Sequence, residues 1–158
     1  MAEPLAENII RKIDDVAGLY YRLVLVVAPS GGGKTTALLD VAKATGFRYI
    51  NVNLELSRRL LDLTERQRCL QVPRLLKDIL GENGDQVVLL DNLEILFDVS
   101  LKQDPLRCIQ GLSRNRTVVV AWNGSIQDGY LTYASPDHQE HRRYLARDLL
   151  VVRPGSKD

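Results

Sequence analysis

A short, entirely apolar run followed at once by a glycine-rich turn constrains this sequence most. Residues 23–27 read LVLVV, a composition typical of a parallel strand that is buried on both faces. The turn after it reads APSGGGKTT, and residues 35–46 have the character of a helix that Gly46 ends. A strand, a glycine-rich turn and a helix in this order are the context in which such a turn binds phosphate.

Each residue type in this turn suits the binding of a nucleoside triphosphate. Glycines let backbone N–H groups turn toward a phosphate, and the helix N-terminus adds its dipole. The side chain of Lys34 would contact the β- and γ-phosphates, and the hydroxyl of Thr35 would bind Mg²⁺. The expected ligands are therefore ATP and Mg²⁺; the alternative is a turn that binds nothing. The predicted binding residues are Ala28, Pro29, Ser30, Gly31, Gly32, Gly33, Lys34, Thr35 and Thr36.

Further apolar runs alternate with helical patterns along the chain, which favours a three-layer α/β fold with a mostly parallel, five-stranded sheet. We expect a single P-loop-type domain over residues 1–153, with a helix at 1–19 and a tail at 154–158. The other predicted strands cover residues 47–54, 86–90, 117–122, 130–134 (a short edge strand) and 149–153. The other predicted helices cover residues 57–63, 72–80, 93–97, 105–112 and 135–146, and Pro73 is expected to begin the helix at 72–80.

Two of the predicted strands end in polar residues that suit a nucleotide site. VVLLD ends at Asp91, where a carboxylate would hold Mg²⁺ through water; alternatively, Asp91 caps a helix that starts at Asn92. TVVVAW is followed by Asn123, the position at which AAA+ proteins orient the attacking water; alternatively, Asn123 only tolerates a left-handed backbone beside Gly124. Proteins of this additional-strand class have the strand order 5-1-4-3-2, which we expect here.

The sequence does not decide which carboxylate would activate the attacking water. Many P-loop ATPases have a glutamate directly after the magnesium-binding aspartate, but Asn92 occupies that position. Glu94 lies two residues further on, and Glu55 is expected to end the strand at 47–54, where RecA-like ATPases place their carboxylate. Each could instead be a surface or helix-capping residue, so hydrolysis is expected to be slow or to need a partner.

Two arginines precede the strand that carries Asn123. Arg114 and Arg116 are candidates for arginine fingers that complete the site of a neighbouring subunit; alternatively, they form an ordinary basic loop. No helical lid is expected after residues 149–153, so a neighbouring subunit would cover the nucleotide. This predicts a homo- or hetero-oligomer.

Composition narrows the remaining function classes. The formal charge is only +1, from 21 basic and 20 acidic residues, so bulk charge does not indicate nucleic acid. A local basic cluster still makes DNA binding possible, and it consists of Arg58, Arg59, Arg66, Arg68 and Arg74. The chain has no apolar leader and no membrane-length apolar run, and Cys69 and Cys108 suit reduced thiols, so we expect a cytoplasmic protein. His138 and His141 lack the spacing of a zinc protease site.

Four blocks of the sequence together resemble the BrxF family, small P-loop proteins of type 3 BREX bacteriophage-defence systems. They are NVNLELSRRLLDL (51–63), LLDNLEILFD (89–98), QDPLRCIQGLSRNRTVVVAWNG (103–124) and LTYASPDH (131–138). The resemblance covers residues 23–144. It implies a bacterial cytoplasmic NTP-binding component that works with the larger ATPase BrxC, a methyltransferase, a helicase and a PglZ protein, and it implies no particular reaction.

The sequence therefore predicts a Mg²⁺-dependent ATPase or ATP switch, acting as a subunit of an antiphage complex. A small P-loop kinase is one alternative, although no arginine-rich lid or acceptor-binding segment follows the glycine-rich turn. A non-catalytic, nucleotide-gated module that binds DNA or protein is another, favoured by Asn92 in the glutamate position.

Overall fold

A computed structural model describes residues 4–81 and 86–155. Its strands are β1 (Leu23–Ala28), β2 (Arg48–Asn51), β3 (Val87–Asp91), β4 (Thr117–Asn123), β5 (Ser125–Gln127), β6 (Tyr130–Tyr133), β7 (Arg142–Leu145) and β8 (Leu150–Val152). Its helices are α1 (Leu5–Asp15), α2 (Lys34–Thr45), α3 (Val52–Leu60), α4 (Glu65–Leu80) and α5 (Pro105–Leu112), with 3₁₀ turns at Glu94–Phe97 and Val99–Leu101. Parts of the predicted first helix (1–3) and tail (156–158) lie outside the described residues.

Five strands form a parallel sheet in the order β2-β3-β4-β1-β8. Numbered along the chain as five strands, this is the expected order 5-1-4-3-2, with β4 between β1 and β3. Because parallel strands end at the same edge of a sheet, the carboxyl ends of β1, β3 and β4 lie side by side. Ala28 is paired with Asn123 at that edge, and Asn51 with Asp91.

Helices cover both faces of this sheet, so the predicted three-layer architecture is confirmed. Side chains of β1 alternate between the two faces: Val24 and Val26 belong to the apolar cluster that includes α1 and α2, whereas Leu25 belongs to the cluster on the other face, which includes residues of α3, α4 and α5. This alternation follows from the two-residue period of a strand. Since every residue of β1 is buried, its sequence is apolar throughout. Within the described residues, no helix is both long enough and apolar enough to cross a membrane.

Helix α4 begins at Glu65, well before Pro73, so the prediction that Pro73 begins this helix was wrong. Its first turn is stabilised by a capping box between Thr64 and Gln67. Proline has no N–H to donate to the carbonyl four residues earlier, which here belongs to Cys69. The Gln103 Nε2 donates to that carbonyl instead, at 2.8 Å.

A second, antiparallel sheet has the strand order β5-β6-β7. The helix predicted at residues 135–146 was wrong, because β7 occupies residues 142–145 and no helix forms in this segment. Residues 130–133 are the central strand of the second sheet and not an edge strand of the main sheet. Tertiary hydrogen bonds hold β7 extended: Arg142 donates to the Gln103 carbonyl at 2.7 Å, and the Tyr144 hydroxyl donates to Asp104 Oδ1 at 2.8 Å. Both partners lie about forty positions away, beyond the reach of local periodicity.

Candidate functional site

The glycine-rich turn connects β1 to α2, and its glycines have distinct structural reasons. Gly31 and Gly33 have φ values of 82° and 86°, in the left-handed region that favours glycine. Gly32 is constrained by space, because a Cβ there would lie 2.8 Å from the Ala28 Cβ and 3.0 Å from the Pro29 carbonyl oxygen. A small residue at position 28 is therefore part of the same close packing.

Lys34 is the first residue of α2 and is only 5% exposed. Its Nζ donates to the carbonyl oxygens of Ala28 at 3.0 Å and Pro29 at 2.7 Å, so the side chain folds back along the turn. Burial lowers the pKa of Lys34, and the charges of Asp91 and Glu94 act in the opposite direction. An ammonium group bonded to two neutral carbonyls would gain stronger, charge-assisted bonds from an anion.

Asp91 ends β3, is 3% exposed and accepts three hydrogen bonds. The Thr35 hydroxyl donates to Oδ2 at 2.7 Å, the Tyr49 hydroxyl donates to the same atom at 2.6 Å, and the Asn92 N–H donates to Oδ1 at 2.9 Å. The alternative role as a helix cap is wrong, since no helix begins at Asn92. Burial, followed by the contact with Asp91, raises the pKa of Tyr49.

The sequence reasoning missed Tyr49. The signal that could have found it is the register of a parallel sheet, because β2 was expected and its last residue, Asn51, is paired with Asp91. Tyr49 lies two positions before Asn51 and therefore on the same face of β2. Its long side chain can carry the terminal hydroxyl to the end of β3.

Glu94 and Asn123 meet at the same edge of the sheet. Asn92 adopts a left-handed backbone with φ 57°, and the chain then enters the 3₁₀ turn that begins at Glu94. The Asn123 Nδ2 donates to Glu94 Oε1 at 2.5 Å. Two predicted residues from different parts of the sequence are therefore brought into direct contact.

These groups surround a cavity of about 280 Å³. Its lining comprises Ser30, Gly31, Gly33, Lys34, Thr35, Thr36, Asp91, Asn92, Glu94 and Asn123. A larger cleft of about 680 Å³ shares Ser30 and Asn123 with it and extends along the second sheet. The cavity is thus open on the side of β5, β6 and β7.

Glu55 lies in the first turn of α3, so the prediction that it ends a strand was wrong. The strand stops at Asn51, because the Asn51 side chain accepts from the Leu54 N–H and caps the helix. Glu55 forms ion pairs with Arg58 at 3.4 Å and with Arg59 at 3.2 Å. It does not line the 280 Å³ cavity.

Arg114 and Arg116 precede β4 and therefore lie at the opposite edge of the sheet from the cavity. Arg116 donates to the carbonyls of Leu80 at 3.1 Å and Gly81 at 2.6 Å, at the C-terminus of α4. The exposed Arg114 guanidinium lies 4.3 Å from the ring centre of Tyr20. Arg114 and Arg116 do not line the cavity of the chain that carries them. Their predicted role in the site of a neighbouring subunit stays a prediction.

The donor groups at the cavity fit a magnesium ion bound together with phosphate. No group of three or more His, Cys, Asp or Glu side chains that could hold a metal occurs in the part of the chain that the structure describes. Mg²⁺ does not require such a group, because it binds through one or two protein oxygens, substrate phosphates and water. The Thr35 hydroxyl and the Asp91 carboxylate supply oxygens of the required kind.

The histidines and cysteines do not line the 280 Å³ cavity, although His138 and His141 line the 680 Å³ cleft beside it. His138 Nδ1 accepts the Glu140 N–H at 3.0 Å, and His141 Nδ1 lies 3.1 Å from the Ala134 carbonyl oxygen. Cys69 and Cys108 are free thiols, and burial raises the pKa of Cys108 to about 11. At neutral pH this thiol is a weak nucleophile.

No family model matches the chain, and no curated protein sequence matches it significantly. The architecture defines the class as a three-layer α/β protein with a five-stranded parallel sheet.

Proposed function

We propose that this protein binds ATP with Mg²⁺ and acts as an ATPase or an ATP-dependent switch. One observation carries the proposal: Lys34, Thr35, Asp91, Glu94 and Asn123, from four separate segments, line a single cavity beside a glycine-rich turn. A cation, a hydroxyl, a buried carboxylate and a carboxylate–amide pair together match the needs of phosphoryl transfer, which are charge stabilisation and the positioning of water.

The glycine-rich turn and α2 would hold the phosphates. Backbone N–H groups at the N-terminus of α2 would donate to phosphate oxygens. Lys34 would exchange its bonds to the Ala28 and Pro29 carbonyls for bonds to the β- and γ-phosphates. Thr35 would turn a lone pair toward Mg²⁺ while its hydroxyl continues to donate to Asp91 Oδ2. Bound Mg²⁺ would supply neutralisation of the phosphate charge.

Glu94 is the carboxylate that we assign to the attacking water. It lines the cavity and is held by Asn123, whereas Glu55 is engaged by two arginines on α3. The bond from Asn123 fixes the direction of the Glu94 carboxylate, so the pair would position the water as a unit. Substitution of either Glu94 or Asn123 should therefore reduce the rate of ATP hydrolysis.

A non-catalytic, nucleotide-gated module is the second candidate, and the same contact favours it. If Asn123 keeps Glu94 away from the water, ATP would bind without being cleaved. Measurement of ATP binding and phosphate release on one protein sample separates an ATPase from the non-catalytic module, since ATP binding without phosphate release identifies the module.

The test of ATP binding compares Lys34→Ala with Lys43→Ala by calorimetry in the presence of Mg²⁺. Lys43 is an exposed lysine in the last turn of the same helix, so it controls for the loss of one positive charge. We expect Lys34→Ala to weaken ATP binding by at least about 10-fold, as expected for hydrogen bonds to a charged group, and Lys43→Ala to bind like the unmodified protein. Equal affinity in both variants contradicts the proposal.

Membership of a BREX defence complex rests on the resemblance to the BrxF family and is proposed on that ground alone. The corresponding test is light scattering of this protein, alone and mixed with BrxC, with and without a non-hydrolysable ATP analogue. Nucleotide-dependent assembly with BrxC supports the proposal. A protein that stays monomeric in every mixture contradicts it.

A further inference from the structure

Tyr49 contacts the cavity's buried carboxylate from outside the glycine-rich turn. It lies on β2, the strand next to β3, and its hydroxyl donates to Asp91 Oδ2 at 2.6 Å. The Thr35 hydroxyl donates to the same oxygen at 2.7 Å. Asp91 Oδ2 is therefore shared by a residue of the turn and a residue of the sheet.

The acceptor capacity of Asp91 limits what else it can bind. A carboxylate has about four lone-pair sites. Among the described residues, Tyr49 and Thr35 use two of them on Oδ2, and the Asn92 N–H uses one on Oδ1. About one site then remains, which is enough for one water molecule of a hydrated cation but not for bidentate coordination of the cation itself.

We propose that Tyr49 is a positioning residue that fixes the Asp91 carboxylate in the orientation needed to hold the cation through water. The inference rests on the proposed Mg²⁺–ATP site. Asp91 is 3% exposed, so little water is available to replace the donor if the Tyr49 hydroxyl is removed. Without this donor only the Thr35 hydroxyl and the Asn92 N–H would hold the carboxylate, so its rotation about the Cβ–Cγ bond would be less restricted and its orientation toward the cation less fixed.

The chain offers a matched control for the removal of one tyrosine hydroxyl. The Tyr144 hydroxyl also donates to a carboxylate, Asp104 Oδ1, at 2.8 Å. That pair joins β7 to the start of α5 and does not line the 280 Å³ cavity. Tyr49→Phe and Tyr144→Phe thus remove the same kind of hydrogen bond, and only the first touches Asp91.

The experiment is a Mg²⁺ titration of ATP binding by calorimetry, with thermal unfolding of each ligand-free variant recorded alongside. We expect Tyr49→Phe to raise the Mg²⁺ concentration at half-saturation by roughly tenfold, the effect typical of a lost partner around a metal site. Its ATP affinity without Mg²⁺ should match the unmodified protein, and Tyr144→Phe should leave the Mg²⁺ titration unchanged.

A double variant gives a second readout that a purely structural role would not produce. In the Asp91→Asn background, Tyr49→Phe should have no further effect on the Mg²⁺ titration. Unchanged or tighter Mg²⁺ binding in Tyr49→Phe, or an equal shift in Tyr144→Phe, overturns the inference while the Mg²⁺–ATP site itself stands. Failure of the unmodified protein to bind ATP with Mg²⁺ overturns the proposed function and this inference with it.

Discussion

Gly124 follows β4 and is, among the described glycines, the one at which an added Cβ would meet the closest contact. A Cβ built there would lie 1.9 Å from the Thr132 carbonyl oxygen and 2.9 Å from the Trp122 Nε1. The Gly124 backbone φ is not in the left-handed region, so the expected effect of Gly124→Ala is purely steric. The Gly124 N–H also donates to the Ala28 carbonyl at 3.1 Å, which limits how far this residue can move.

The size of the effect follows from what must shift. The second sheet has to move away from β4, which breaks the 3.1 Å hydrogen bond from Trp122 Nε1 to the Thr132 carbonyl. Its loss costs about 1 kcal/mol, and overpacking typically costs about 1 to 3 kcal/mol. We therefore expect Gly124→Ala to lower the free energy of unfolding by about 2 to 4 kcal/mol. For a chain of this length that corresponds to a fall in Tm of roughly 4 to 16 °C.

Urea unfolding followed by circular dichroism measures this change, and Gly111→Ala is the control. Gly111 lies within α5, and a Cβ there would meet nothing within 4 Å. Replacing a helical glycine with open surroundings should stabilise the protein by about 0.5 to 1 kcal/mol. A Gly124→Ala variant within about 0.5 kcal/mol of the unmodified protein, the range of ordinary surface substitutions, would refute the steric reasoning.

Three further predictions concern the cavity and the arginines. Asp91→Asn should retain ATP binding without Mg²⁺ but weaken the Mg²⁺-dependent gain, as seen by calorimetry; identical Mg²⁺ titrations would show that Asp91 has only a structural role. Glu94→Gln should keep ATP affinity and reduce phosphate release by roughly 100-fold, whereas unchanged release would remove Glu94 from the reaction. Arg116→Ala should lower the unfolding temperature, because the Gly81 carbonyl loses its side-chain donor and the Leu80 carbonyl keeps only the bond from Arg48, while Arg114→Ala should change that temperature little and weaken nucleotide-dependent assembly. If light scattering shows that Arg114→Ala assembles like the unmodified protein, the segment before β4 is an ordinary basic surface loop.

The sequence was sufficient where the candidate site is built from the ends of buried parallel strands. Apolar runs ending at Asp91 and Asn123 predicted two residues that the structure brings to one cavity with Lys34. This worked because the carboxyl ends of parallel strands meet at one edge, whatever the exact packing of the helices. The strand order was expected from the additional-strand class that the glycine-rich turn and these strand ends indicate, and the order in the structure agrees with it.

Other elements depend on contacts that local patterns do not encode. The segment at 135–146 has helical residue types, but the bonds of Arg142 and Tyr144 to residues 103 and 104 hold its second half as a strand. Glu55 was misplaced because Asn51 caps a helix, a role that its position in an alternating run concealed. The expected strand order already placed β2 beside β3, but Tyr49 also required the register that pairs Asn51 with Asp91.

The bridge from Gln103 to the Cys69 carbonyl has a consequence for how the chain folds. A proline in the interior of α4 leaves one carbonyl without its helical donor, and the replacement donor lies thirty-four positions later in the chain. Gln103 also binds the Leu101 carbonyl through the same nitrogen and accepts Arg142 through its own carbonyl. The middle of α4 therefore becomes stable only after segments synthesised later have docked, and a peptide spanning residues 64–81 alone should be only weakly helical. Because these contacts of Gln103 connect α4, the start of α5 and β7, the three segments should open together as one cooperative unit. A shared rate of amide hydrogen exchange would detect this.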